Sequence, residues 1–278
     1  MSQGAARAAA DPEEGGSVDF STILVSDEGG VRTITLNRPE RRNAMSPTMQ
    51  EELIAALTEA GAARSCRVVV LRGAGEAFCA GLDLAHLKDS ASASAGEHRA
   101  DAERVARLFR TLYELQKPTI AAVHGAAVAG GTGLATLCDF TVAVPDAKFG
   151  YTEVKVGFVP ALVAAFLVLQ IGEKRARELF LTGRLFGAEE GYRLGLVSEV
   201  VAVETLSGRV AELAGALATN SPEATAATKR LLVMQNKAWL DVAIAASLEA
   251  NARARETADF QEGVTAFMEK RKPLWGGA

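Results

Sequence analysis

From Phe20 to Pro160 short β-branched runs alternate with helix-period segments, and after Pro160 the strand signals largely stop. "STILVSDEGGVRTITLN" reads as two strands around an Asp-Glu-Gly-Gly turn, a hairpin. In "SPTMQEELIAALTEAGA" Ser46 stands as an N-cap and Pro47 as the first helical residue, with apolar residues following at helical spacing. "RVVVLRG" is then a buried strand, so strand, helix, strand opens a βαβ unit. The order recurs in "ADAERVARLFRTLYELQ" (helix), "TIAAVHG" (strand), Gly130 to Cys138 (helix) and "DFTVAVP" (strand). Strands separated by helices favour a mostly parallel sheet covered on both faces. From about Ala161 to Lys272 the reading is helical: "EKRARELFLTG", "AEEGYRLGL", "VETLSGRVAELAGALATN", "SPEATAATKRLLVMQ", "AWLDVAIAASLEANARARE" and "DFQEGVTAFMEKR". The expected organisation is a disordered tail over residues 1–18, an α/β core over 19–205 and a helical C-terminal region over 206–278.

Several function classes are disfavoured. A net charge of -4 leaves no basic excess to neutralise a phosphate backbone, so no nucleic acid partner is expected. The longest apolar run, "FVPALVAAFLVL", is too short for a membrane span, and the N-terminal residues lack the apolar stretch of a signal peptide. Cys66, Cys79 and Cys138 are odd in number and without C-x-x-C spacing, which indicates neither a disulfide framework nor a zinc site. They read as small buried residues, and a cytoplasmic protein without a metal is the expectation.

Chemistry concentrates in two small-residue runs. "HGAAVAGGTGLA", His124 to Ala135, has the outline of a phosphate-binding loop, but Gly131 stands where that loop needs lysine. Small residues there allow close approach of a backbone or a ligand, and exposed N–H groups at a helix start stabilise negative charge, including that of a developing oxyanion. "GEAFCAGLDL", Gly75 to Leu84, places Ala80 and Gly81 at a similar strand-end corner. Two such turns offer two N–H donors to one carbonyl oxygen, although either run alone also fits close packing on a neighbouring strand.

"AFCAGLDL", "AAVHGAAVAGGTGLATLCDFTVA" and "AKFGYTEVKVGFVP" resemble, in order, signature segments of the crotonase, or enoyl-CoA hydratase/isomerase, superfamily. The similarity continues through "GEKRARELFLTGRLFGAEEGYRLGLVSEVV" and "EGVTAFMEKRKPLW", covering roughly residues 20 to 275. The resemblance implies a crotonase-like α/β fold of repeated ββα units, with C-terminal helices that organise homotrimers, commonly stacked into homohexamers. It implies an acyl-CoA thioester as substrate, with coenzyme A part of that substrate and no separate cofactor. Carried over, it makes the N–H groups of Ala80 and Gly130 an oxyanion hole, places Ala80, Gly81, Leu82 and Asp83 along the binding turn with Gly130, Gly131 and Gly133 opposite, and makes Glu153 the acid or base. Pro160 and Leu162 would border an acyl pocket that Val163 and Phe166 make apolar, and Lys270, with Arg271 and Lys272, would meet the CoA phosphates.

Hydratases resembling this chain carry two glutamates, and Gly133 occupies the place of one of them. A lone carboxylate suits a 1,3-proton shift, whereas hydration asks for another group to orient water. On the frequency of hydration in the superfamily it resembles, the sequence still reads first as a hydratase converting a 2-enoyl-CoA to a 3-hydroxyacyl-CoA. A 3-enoyl-CoA to 2-enoyl-CoA isomerase, a decarboxylase of a branched acyl-CoA, and a non-catalytic acyl-CoA-binding scaffold are the alternatives. His124 reads as a packed residue, His86 and His98 as solvated ones.

Overall fold

Gly29 and Gly30, both in the left-handed region (φ 56° and 84°), turn β1 (Ile23–Glu28) back onto β2 (Val31–Leu36). Glu28 pairs with Val31, so the loop is the two-residue hairpin turn that such a glycine pair favours. This computed structural model describes residues 19–89 and 93–276, and the tail expected over residues 1–18 lies outside them. α1 (Pro47–Ala62) starts as its sequence dictates, Ser46 accepting the Met49 N–H, and it buries Met49, Leu53, Ala56, Leu57 and Ala60.

A triplet then occurs three times: a strand of a larger sheet, a short strand of a smaller sheet, and a helical segment. The first is β3 (Val68–Gly73), β4 (Ala77–Cys79) and α2 (Leu84–Asp89). α3 (Ala95–Glu114) follows it, opened by a reciprocal cap between Ser94 and Glu97. The second is β5 (Thr119–Val123), β6 (Ala126–Val128) and α4 (Gly130–Thr136). The third is β7 (Phe140–Ala143), β8 (Lys148–Gly150) and a 3-10 turn, Glu153–Val156. In place of simple strand–helix alternation, each strand is doubled, the ββα unit that the resemblance implies.

The rest of the chain is α5 (Ala161–Ile171), α6 (Glu173–Thr182), β9 (Leu185–Gly187), α7 (Ala188–Leu194), β10 (Glu199–Val200), α8 (Leu206–Ala218), α9 (Pro222–Arg255) and α10 (Ala258–Met268). The larger sheet has the order β1-β2-β3-β5-β7-β10 and the smaller β4-β6-β8-β9. All neighbours are parallel except β1 with β2 and β8 with β9. β5 is buried at every residue, as a strand covered on both faces must be.

Two expectations for the C-terminal third are corrected. It is not purely helical, because β9 and β10 each extend a sheet by a few residues. The two helices read from "SPEATAATKRLLVMQ" and "AWLDVAIAASLEANARARE" are one, α9, of 34 residues. Asn236, between them, is neither Gly nor Pro, and its amide is held by the Leu232 carbonyl (3.3 Å) and the Tyr113 hydroxyl (3.2 Å), so nothing breaks the helix. α9 packs along α3 and α5. Among the described residues no helix is long and apolar enough to cross a membrane.

Candidate active site

The smaller sheet decides where the chemistry-bearing segments emerge. β4, β6 and β8 run parallel side by side, so the residues following each of them come out at the same sheet end. Those residues are Ala80–Asp83, Ala129–Gly133 and Thr152–Val156. They meet at a cavity of about 240 Å³ touched by Ala80, Leu82, Gly130 and Glu153, which α5 closes through Leu162 and Val163.

The first turn is pinned to the Arg38–Met45 loop. Met45 donates its N–H to the Gly81 carbonyl (2.8 Å), Asp83 returns one to the Met45 carbonyl (3.3 Å), and Ala80 donates to the Arg42 carbonyl (3.0 Å). The Asp83 carboxylate pairs with Arg38 at 3.0 Å and accepts the Ala85 N–H, which fixes the turn instead of facing the cavity. This corrects the expectation for Ala80, whose N–H is consumed inside the fold. Of the two amides on this turn that donate to no carbonyl, that of Gly81 lies on the Cys79 sulfur, which leaves that of Leu82 without a partner among the described residues.

Gly81 brings this turn against the second one. Its φ is 91°, and a Cβ there would lie 2.9 Å from the Val128 carbonyl oxygen and 3.3 Å from the Gly130 nitrogen. Gly130 is the first residue of α4, so its N–H has no partner within the helix. Ala129 before it is held at φ 53°, with its own N–H on the Gly150 carbonyl at 2.7 Å. Thr132, the threonine of the phosphate-loop outline, is fully buried. Its hydroxyl bonds the carbonyls of Ala127 (2.7 Å) and Gly150 (3.0 Å) and accepts the Gly150 N–H, so it stitches β6 to β8 and is not available to a phosphate.

Gly131 and Gly133 do not line the cavity. A Cβ at Gly131 would stand 2.1 Å from the Cys79 carbonyl oxygen, so close packing of β4 explains it. A Cβ at Gly133 would stand 2.5 Å from Val163 Cγ1 and 3.4 Å from the Phe109 ring. The place from which a second carboxylate would project is therefore filled by a valine methyl.

Glu153 opens the 3-10 turn after β8, with its carbonyl accepting the Phe158 N–H at 3.0 Å. Its Oε2 is sealed from solvent and has no hydrogen-bond partner among the described residues. Burial pushes its carboxyl up to about 7, opposed only by a bond from its own N–H. It is the one carboxylate on the cavity wall among the described residues.

Other sequence candidates are distributed around this centre. Pro160, Leu162 and Val163 reach the cavity, whereas Phe166 stands behind the wall, its ring 5.3 Å from that of Tyr113. Lys270 is exposed beyond the end of α10, off the wall, although Phe267 of that helix touches it. Arg271 is taken by Glu262 and Glu269. His124 is not packed in the core as read from the sequence: it is half-buried on a separate surface pocket, its Nε2 2.9 Å from the Gly75 carbonyl, and the three cysteines are buried. His98 is not solvated: it is 3% exposed, and burial, with Arg255 nearby, lowers its pKa. His86 pairs with Asp101 at 3.1 Å. The cavity also takes Phe109 from α3, Asn251 from α9 and Arg42 from the first loop, none of them singled out by sequence; of these only Asn251, on a buried α9 stripe with Leu240, Ile244 and Ser247, carried a readable signal.

Comparison with known proteins agrees with this geometry. The chain matches the family described as Enoyl-CoA hydratase/isomerase over residues 26–278. A Thermus thermophilus protein provisionally named an enoyl-CoA hydratase is 44% identical over 247 residues, 89% of this chain and 98% of its own. The 1,2-epoxyphenylacetyl-CoA isomerase of Escherichia coli is 34% identical, with 92% of this chain and 98% of its own covered. A crystal structure of an enoyl-CoA hydratase/isomerase from Xanthobacter autotrophicus superposes with a TM-score of 0.83 at 32% identity, over 91% of this chain and 98% of that one. With match, fold and cavity in agreement, the chain is an enzyme of hydratase or isomerase type and belongs to the enoyl-CoA hydratase/isomerase family.

Proposed function

We propose that this enzyme adds water to a 2-enoyl-CoA, giving a 3-hydroxyacyl-CoA, with Glu153 as its acid and base. The observation that carries the reading is the Glu153 carboxyl, its Oε2 sealed and without a partner among the described residues and its pKa raised by burial to about 7, on the same cavity as the Leu82 and Gly130 N–H groups, which have no partner among the described residues. The N–H groups of Leu82 and Gly130 hold the thioester oxygen, and Leu82 replaces Ala80 in that role because the Ala80 amide is already bonded. As water oxygen bonds to C3, Glu153 takes its proton and the C2–C3 π electrons move onto the thioester as an enolate. Glu153 then gives a proton to C2, and the net change is H and OH across the double bond. Donors aimed at the enolate oxygen contribute about 3 kcal/mol each and a positioned acid-base group about 10²–10⁴-fold. The apolar wall of Leu162 and Val163 fits a hydrocarbon chain, and exposed Lys270, three residues past Phe267 of the wall, is the cation assigned to the CoA phosphates.

The Gly133–Val163 contact favours a second reading, isomerisation. With no other carboxylate on the wall, Glu153 alone removes a proton at C2 of a 3-enoyl-CoA and returns one at C4. Incubation with matched 2-enoyl-CoA and 3-enoyl-CoA in deuterated water, followed by mass spectrometry, separates the two. 3-Hydroxyacyl-CoA establishes hydration, a double-bond shift without added water establishes isomerisation, and a Glu153→Gln variant with full activity sinks both. The assembly we expect is a homotrimer or a pair of them, supported by exposed Leu231, Leu232, Met234 and Val242 on α9, and sedimentation would measure it.

A further inference from the structure

α9 turns one stripe inward, in which Ser247, Asn251 and Arg255 follow at single-turn spacing. The Ser247 hydroxyl donates to the Ala161 carbonyl at 2.7 Å, and the Arg255 guanidinium stands 5.9 Å from the centre of the Phe158 ring. Asn251, between them, faces the Phe158–Ala161 segment of the cavity wall and itself lines the cavity. The residue is 3% exposed, yet its Oδ1 has no hydrogen-bond partner among the described residues. A buried amide oxygen without a donor is costly, and a leucine would fit this apolar setting better. Because Asn251 lines the cavity, a ligand seated there can bring the donor it lacks.

The thioester end of an acyl-CoA is fixed by the strand-end turns, whereas Asn251 belongs to the wall built by α9 and α5. It therefore meets the acyl chain away from the reacting carbons. We propose that Asn251 is a specificity-determining residue that selects acyl-CoA substrates bearing a hydroxyl on the chain beyond C3, the hydroxyl donating to Oδ1. The inference rests on the acyl-CoA reading above, and it assigns to that site a polar, not a plain hydrocarbon, acyl group.

Binding tests it without turnover. Saturated acyl-CoA esters of matched length, with and without a terminal hydroxyl, are titrated calorimetrically into the wild type, Asn251→Leu and Asn251→Ser. The wild type should bind the hydroxylated ester about tenfold tighter than the plain one, the discrimination expected of one buried hydrogen bond. Asn251→Leu should reverse the preference, and Asn251→Ser, which keeps a hydroxyl acceptor, should retain part of it. Equal preference in the wild type and Asn251→Leu overturns the proposal, as does a wild type that favours the plain ester. If Asn251→Leu binds neither ester, Asn251→Ser decides: a reduced preference with plain-ester binding kept supports the proposal, and an unchanged preference overturns it. A variant that hydrates plain enoyl-CoA at a tenth of the wild-type rate, yet binds both esters as before, would show Asn251 holding water and would also overturn it. Preference in binding with no turnover of any enoyl-CoA would leave this inference standing while the hydratase and isomerase readings fall.

Discussion

Glu153 should make the native state less stable as the solution becomes more basic, against the usual behaviour of a carboxylate. Its pKa is about 7 in the fold against 4.5 for an ordinary glutamate, so the native state holds a proton that the unfolded chain has released. The sign follows directly: the stabilising contribution is complete below 4.5, declines through the interval, and is lost once pH passes 7. Between about pH 5 and about pH 8 the loss is roughly 2.5 kcal/mol, because each pH step within the interval costs up to about 1.4 kcal/mol. Other carboxylates work in the opposite direction. Asp27 and Glu199, held low chiefly by Arg32 and Arg209, lose stabilisation as pH falls, so the raw profile mixes both signs. The difference between wild type and Glu153→Gln isolates the wanted term. Urea unfolding at fixed protomer concentration across that range should show the variant gaining on the wild type by roughly 2.5 kcal/mol as pH rises. A difference that stays flat to within a few tenths of a kcal/mol would refute the burial argument, and with it the source of a neutral-range base.

Three further outcomes are expected. Gly133→Glu should be strongly destabilising, since its Cβ would fall 2.5 Å from Val163 Cγ1, and adding Val163→Ala should recover more than 1 kcal/mol of the loss, about the coupling seen between touching residues, in a denaturation double-mutant cycle. Gly81→Ala should cost about 1–3 kcal/mol, because φ is 91° and the Val128 carbonyl stands in the way, and kcat should fall with it as the Leu82 amide is displaced. Asn43→Ala should cost about 3 kcal/mol by chemical denaturation, for the buried side chain donates to the Ala74 and Ala77 carbonyls at 2.8 Å each and accepts the Arg38 N–H at 2.9 Å.

Local chemistry was legible where it is self-contained. The Gly29–Gly30 turn, the Ser46 cap and the β-branched run of β3 each specify their element from a few adjacent residues. β4 and β6 were hidden because "AFC" and "AAV" are three residues long and rich in alanine, and they exist only because the strands of the larger sheet place them side by side. The small-residue runs announced two amide-bearing turns without telling which amide is free. That depends on the Arg42 carbonyl, supplied by a loop nearly forty residues earlier. Likewise "YTEVKVG" pointed to Glu153, but its shifted pKa comes from burial that no local motif encodes. His98 sits in the polar-looking "GEHRAD" and is buried by tertiary packing beside Arg255, again from a distant segment.

The contact between positions 133 and 163 constrains the chemistry more than the absence of a second carboxylate does. Had Gly133 simply left a gap, water could occupy it and serve in place of the missing group. Val163 and the Phe109 ring instead close that place with hydrocarbon, which offers water no partners. Under the proposed roles, the proton taken and the proton returned then pass through Glu153 on one face of the acyl chain. Water addition is accordingly syn, and a double-bond shift suprafacial. Stereospecific deuterium at C2 reads this directly, and mixed stereochemistry would mean that a second proton carrier reaches the cavity past Val163.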